Sequence, residues 1–267
     1  MADRVVRIAA VGDLHCTRNS QGTLQPVFAK VSESADVLLL AGDLTDYGLP
    51  DEARVLAREL QSLRIPCAAV LGNHDVESCK DADVRQILTD AGVAMLDGDA
   101  VELGGVGIAG VKGFGGGFGP RALGAWGETV IKQFVHEAVN EALKLEAALV
   151  RLRTPSRVVL LHYSPIQRTV EGEPLEIFPF VGSSRLEEPI DRFSVSLVVH
   201  GHAHRGQLEG VTKGGAPVYN VSMPLLTRCL PEHQPFRVFE VPLETAPADD
   251  LPQAPNRGRR ATDAVAS

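Results

Sequence analysis

Five short stretches of this chain share one pattern, and that pattern constrains its fold more than any other feature. In each, a continuous apolar, β-branched run ends in Asp, Asn or His. Val5–Val11 leads into Gly12-Asp13-Leu14-His15, and Asp36–Ala41 into Gly42-Asp43-Leu44-Thr45-Asp46. Pro66–Leu71 leads into Gly72-Asn73-His74-Asp75, Arg157–Leu161 into His162, and Val195–Val199 into His200-Gly201-His202-Ala203-His204. Such runs read as strands buried on both faces. Ligands of open α/β sheets sit at the carboxyl ends of the strands. The five strand ends therefore bring Asp13, His15, Asp43, Asn73, His162, His202 and His204 towards one rim. Carboxylate and amide oxygens combined with imidazoles suit borderline divalent ions such as Mn, Fe, Zn, Co or Ni. Seven candidate ligands exceed one ordinary site and match two metals sharing a bridge.

The segments between these runs alternate with them. Residues 24–34 place Leu24, Val27, Phe28 and Val31 at helical spacing. Residues 51–63 form an amphipathic helix through Val55, Leu56, Leu60 and Leu63, opened by Pro50-Asp51-Glu52. Residues 81–91 predict a further helix (Val84, Ile87, Leu88), stopped by Gly92. The resulting β-α-β-α-β order implies a parallel sheet. Short strands at 93–96, 100–103 and 106–111 then read as a meander that starts a second sheet or its edge. The longest helix spans 128–152, with Val130, Ile131, Phe134, Val135, Ala138, Val139, Ala142 and Leu143 on its apolar side and His136 solvated or at the edge of the core.

Two connections border the expected rim. Residues 110–119 are Gly-rich but lack the Gly-x-x-x-x-Gly-Lys-Ser/Thr order of a phosphate-binding loop. They read either as a mobile lid, with Phe114 and Phe118 as walls and Lys112 or Arg121 as phosphate donors, or as a permissive loop whose glycines take positive φ. The connection 163–193 is long enough to be functional or partly structured, and Tyr163 and Arg185 are its candidate substrate contacts. Strands at 207–211, 217–221 and 236–241 close the fold. One domain over 1–244 precedes a Pro-, Ala- and Asp-rich tail, 245–267, whose composition predicts disorder.

The blocks D-x-H, G-D-x-x-D, G-N-H-D, a lone His and G-H-x-H, in this order, resemble the calcineurin-like metallophosphoesterase superfamily. The resemblance covers residues 5 to 205, with a closing segment to 243. It implies a four-layer α-β-β-α sandwich of two mixed sheets flanked by helices, with a dinuclear metal site at one rim. It assigns Asp13, His15 and His204 to one metal, Asp43 to a bridge, and Asn73, His162 and His202 to the second. It places His74 over the phosphate as a general acid or electrostatic catalyst, with Asp75 orienting it. It implies hydrolysis by a metal-bridging hydroxide attacking in line. Asp46 and His200 are expected to support the ligands rather than bind metal, and Gly12, Gly42, Gly72 and Gly201 to let the backbone turn beside them.

Asp46-Tyr47-Gly48 and His74-Asp75 depart from the Arg-Gly and Glu of the superfamily's protein phosphatases. The uninserted body resembles the bacterial branch that hydrolyses phosphodiesters, cyclic nucleotides among them; a small phosphomonoester is also open. A lipid-precursor pyrophosphatase would need an apolar groove from the loops at 110–124 and 163–193. The alternative of another class is a catalytically idle scaffold or interaction module, which would not need His74. A net charge of −8 argues against broad capture of nucleic acid, and no nucleic-acid-binding domain is evident. Four cysteines without pair spacing, and no leader or membrane-length apolar run, lead to the expectation of a cytoplasmic protein acting on a small phosphorylated substrate.

Overall fold

The computed structural model describes residues 4–243, so the tail expected over 245–267 lies outside the described residues. Strands β1 (Val5–Val11), β2 (Val37–Ala41), β3 (Cys67–Val70) and β4 (Ala94–Met95) run parallel, and β11 (Arg237–Pro242) adds antiparallel to β1. The order of this sheet is β11-β1-β2-β3-β4. The second sheet holds β5 (Asp99–Leu103), β6 (Val106–Val111), β7 (Arg157–Leu161), β8 (Leu197–His200), β9 (Glu209–Val211) and β10 (Pro217–Asn220). Its order is β5-β6-β7-β8-β10-β9, parallel in the middle and antiparallel at both edges. Both sheets are therefore mixed.

Alternation along each strand builds the layers. Ile8, Ala10, Val37, Leu39 and Val70 face Ile108, Val158, Leu160, Leu197 and Val199 between the sheets. The intervening residues Ala9, Val11, Leu38, Leu40 and Ala69 pack outwards, against α1 (Gln25–Ser34), α2 (Pro50–Glu59) and α4 (Asp81–Asp90) through Phe28, Val31, Leu56, Val84 and Leu88. On the far side, Ala109, Val111, Val159, Leu161 and Val198 pack on α5 (Thr129–Arg151) and α7 (Glu187–Arg192). The result is the four-layer α-β-β-α sandwich, and every central strand is apolar on both faces because both faces are covered.

Several local expectations are corrected. Residues 94–95 extend the first sheet as β4 instead of opening the second, which starts with the β5–β6 hairpin at its edge. α5 buries Val135, Ala138, Glu141, Leu145, Ala148 and Leu149, while Val130, Ile131 and Leu143 are exposed. Glu141 can occupy an apolar position because its carboxylate accepts from the Gly113 N–H and from Lys144 Nζ, both at 2.7 Å. The connection 163–193 is structured throughout: 3₁₀ turns at Gln167–Val170 and Leu175–Ile177, then α6 (Phe178–Val181) and α7. A short helix, α8 (Met223–Cys229), started by Pro224, had no sequence expectation.

The carboxyl ends of the central strands of both sheets meet at one rim. Gly12 N–H donates to the Val221 carbonyl, Asp13 N–H to Gly42, Gly201 N–H to His162, and Val221 N–H to His200. These bonds tie the strand-end loops to one another before any side chain is considered.

Candidate metal centre

Three groups of donors occupy this rim. Asp13, His15 and His204 form one, Asp43, His162 and His202 a second, and His15, Asp46 and His74 a third that shares His15 with the first; within each, the candidate donor atoms lie within 4.8 Å of one another. Asp43 lies between the first two, with Oδ1 3.4 Å from His162 Nε2 and Oδ2 3.9 Å from His15 Nε2. Asn73 joins the second cluster through Oδ1, 2.9 Å from His162 Nε2. All seven side chains read from the sequence thus converge.

The backbone is bent to bring them there. Asp13, His15, Asp43 and His202 have φ of 57°, 43°, 47° and 67°. Among the described residues only Cys79 and Ser194 are other non-glycine examples. Such conformations cost roughly 1–3 kcal/mol each and concentrate at functional sites. Close approach does the rest: a Cβ on Gly72 would lie 2.0 Å from Asp43 Oδ1, and one on Gly201 would lie 2.4 Å from Asp13 Oδ2.

Hydrogen bonds orient three of the four histidine rings, those of His162, His202 and His204. His162 Nδ1 donates to the Ala41 carbonyl at 2.9 Å, which sets the tautomer and turns Nε2 to the cluster. Asp13 accepts from His204 Nε2 at 2.9 Å and, with both oxygens, from the His202 N–H at 3.0 Å. Burial holds the His162 pKa below its ordinary value, and burial with the neighbouring His162 takes His202 down to about 3. Both imidazoles are thereby kept neutral, the form that binds metal.

The carboxylates are less comfortable. Burial and the charge of Asp13 push Asp43 up to about 6. Burial acts to raise Asp13 too, but the His204 hydrogen bond and the surrounding histidines take it down to about 2. His15 fits the role of a metal ligand best: both ring nitrogens are buried and neither makes a hydrogen bond. Buried polar atoms without partners are rare in folded proteins. Two buried carboxylates, four imidazoles and an amide oxygen are a donor set that fits divalent cations.

His74 belongs to the third group, beside the two that meet at Asp43. Its N–H donates to Asp43 Oδ1 at 2.9 Å and its ring packs edge-on against His15, centroids 4.6 Å apart. The expected pairing with Asp75 does not occur. Asp75 is fully buried, and its carboxylate accepts from the N–H groups of Gly72, Leu44 and Thr45 and from the Thr45 hydroxyl. It is committed to joining α3 (Asn73–Val76) to the Asp43 loop. The group that orients His74 is the carbonyl of Asp46, 2.7 Å from Nδ1. The Asp46 carboxylate lies 3.3 Å from His15 Nδ1. Burial opposes a charge on His74, but the Asp46 carbonyl and the carboxylates of Asp43 and Asp46 raise its pKa overall.

Residues outside the clusters sort clearly. His200 is fully buried between the Gly201 carbonyl and the Thr169 hydroxyl, both at 2.8 Å, so both its ring nitrogens are engaged and it joins none of the donor groups. His136 is exposed on α5. Lys112, expected as a phosphate donor, instead lies over the rings of Phe114 and Tyr163. Arg185 donates to the Leu123 carbonyl at 3.1 Å, and Arg121 sits in the exposed turn Gly119–Arg121. The Gly-rich loop packs its backbone beneath α6, with Gly117 N–H bonded to the Gly182 carbonyl at 2.9 Å. It is a packed support for the 178–183 segment, which argues against a mobile lid. A cleft of about 520 Å³ opens onto the donors, lined by Asn73, His202 and His204, by Tyr163, Ile177, Phe180 and Val181, and by Glu173 and Arg205. Of the expected substrate contacts, Tyr163 alone lines it.

Residues 6–206 match the calcineurin-like phosphoesterase family. The chain belongs to that family. Its fold is similar to the solved structure of a phosphopantetheinyl hydrolase from Mycobacterium tuberculosis, at 16% identity over 87% of this chain and 95% of that one, TM-score 0.64. TT1561 of Thermus thermophilus matches at 16% identity over 90% and 100% of the two chains, TM-score 0.49. A purple acid phosphatase from yellow lupin seeds matches at 15% over 76% and 38%, TM-score 0.48. Among curated proteins there is no sequence match. No helix among the described residues is long and apolar enough to cross a membrane.

Proposed function

We propose that this protein hydrolyses a phosphodiester of small size with the help of two divalent cations. The observation that carries the reading is the pair of donor groups meeting at Asp43, with His74 beside them in a third group that shares His15. Asp13, His15 and His204 would hold one cation; Asn73, His162 and His202 the other; Asp43, with an oxygen facing each cluster, both. Bound there, the cations would supply Lewis-acid charge and a water of lowered pKa. His74, its Nδ1 tied to the Asp46 carbonyl, keeps Nε2 for a phosphoryl or leaving oxygen. Asp75 acts further out, by holding the loop that carries Asp43. Mixed N and O donors tolerate Mn, Fe, Zn, Co and Ni alike.

The cleft favours a diester over a monoester. Beyond the donors and the flanking Tyr163, its lining is Ile177, Phe180, Val181, one cation (Arg205) and one carboxylate (Glu173). A diester carries a second organic group that needs a wall, and Ile177, Phe180 and Val181 offer one. The free cysteines, Cys16 and Cys67 buried and Cys79 and Cys229 exposed, fit a reducing compartment such as the cytoplasm.

The test is hydrolysis of bis-p-nitrophenyl phosphate beside p-nitrophenyl phosphate, by protein stripped with chelator and resupplied with each ion in turn. Diesterase activity should return with metal. Asp43→Ala should abolish it, and His74→Ala should lower kcat by about 10²-fold or more. Preference for the monoester would overturn the diester reading, and failure to bind any divalent ion would overturn the whole.

A further inference from the structure

The apolar side of the cleft does not stop at its mouth. Phe180 is 58% exposed, and Leu175, 76% exposed, and the partly exposed Ile177 precede it in the same segment. The Phe180 carbonyl accepts from His202 Nε2 at 3.1 Å, so this wall is attached directly to the donor cluster. On its other side Phe180 packs edge-on against Phe134 of α5, centroids 5.9 Å apart. One helical turn earlier on the same face of α5 lie the exposed Val130 and Ile131, and just before the helix Trp126 is 73% exposed. Scattered apolar residues on a surface need no explanation, but an apolar run from the wall of a polar site over Phe180 and Phe134 to Val130 and Ile131 does.

We infer that this patch holds the organic arm of the substrate, and that the arm is a flexible hydrocarbon: the substrate is an amphiphilic phosphodiester. The inference rests on the phosphodiesterase reading and adds the chemical class of the group on the non-scissile side. Continuity selects the occupant. An arm esterified to a phosphoryl group at the donors would leave the cleft over Ile177 and Phe180 and continue towards Val130 and Trp126. The packed Gly-rich loop beneath α6 keeps that wall in place without the ligand.

Two measurements test this on the purified protein. The first is kcat/KM for methyl, butyl and octyl p-nitrophenyl phosphate, all below their micelle concentrations. A fully buried methylene is worth roughly fourfold. For a half-open wall the expected rise from methyl to octyl is at least about tenfold. Ile177→Ser and Phe180→Ser should flatten the series; the ratio is taken within each variant, so a general loss of activity cancels. The second needs no turnover. Trp126 is the chain's single tryptophan, so octyl methylphosphonate should shift its emission to the blue saturably, and methyl methylphosphonate should not. A flat series with no emission shift overturns the inference even if diesters are cleaved. If no ester is cleaved with any ion, the phosphodiesterase reading fails, and a saturable octyl-dependent shift still supports the apolar-arm site, whereas its absence removes that too. Should the patch instead be covered by a second copy of the chain, sedimentation will show a dimer that Val130→Ser dissociates, which also overturns the inference.

Discussion

Gly72 shows how little latitude the centre has. A Cβ there would meet not only Asp43 Oδ1 at 2.0 Å but the Asp43 backbone nitrogen at 2.3 Å, so moving a side chain cannot relieve the clash. Gly72→Ala should therefore leave a folded protein whose affinity for divalent ions, measured by calorimetry, falls at least about tenfold, the scale of losing a supporting contact to a ligand. His200 makes a different point. Burial holds its pKa down at about 4, against an ordinary value near 6.5. It stays neutral in the folded chain while the unfolded chain takes up a proton below about pH 6.5. Its contribution to stability is thus present above that pH and lost as pH falls towards 4, up to roughly 3 kcal/mol. In denaturant melts, His200→Gln should make the acid limb of the stability profile shallower; an unchanged limb would mean that His200 titrates normally. The convergence of seven donors was legible because Asp, Asn and His stand where buried strands end. The partner of His74 was not, since it is a main-chain carbonyl, which every residue carries. Nor was the role of Asp75, because all its partners but the Gly72 N–H belong to Leu44 and Thr45, about thirty residues away in sequence.

At the scale of elements, the central strands could be read directly because both faces of each are covered and the apolar run is unbroken. The edges could not. Ala94–Met95 is too short to announce which sheet it joins, and α8 offers about two turns of pattern. The long helix α5 misled for a physical reason: it carries apolar residues on more than one side, since Phe134 near its start packs against Phe180 while its later turns cover the second sheet. The two sides are separable by mutation. Leu145→Ala and Leu149→Ala, in the packed stripe, should each cost about 2–5 kcal/mol. Val130→Ala and Leu143→Ala, exposed, should stay within about 0.5 kcal/mol. Urea midpoints at constant slope decide it, and equal losses on the two sides would contradict the packing described.

For the molecule as a whole, the centre is the place where two sheets are joined at the expense of crowding negative charge. With Asp43 pushed up to about 6 by burial and by Asp13, its ionisation above that pH works against folding. The sign follows from linkage: an acid whose pKa is raised on folding binds its proton more tightly in the native chain, so stability falls as pH rises through the window from about 4 to 6 and stays lower beyond it. A bound cation reverses that cost, and binding to the native state alone adds roughly 4 kcal/mol at a thousandfold excess over Kd. Removing metal and removing the charge should therefore have opposite effects that cross. At pH 7.5, chelator should lower the melting temperature of the wild-type chain by several degrees, and added Mn or Zn should restore it. Asp43→Asn keeps an oxygen for the His74 N–H but discards the charge. It should melt above the wild type in chelator and below it with metal present. If the variant melts lower under both conditions, Asp43 is serving the fold and not a cation, and the assignment of the rim as a metal centre loses its thermodynamic support.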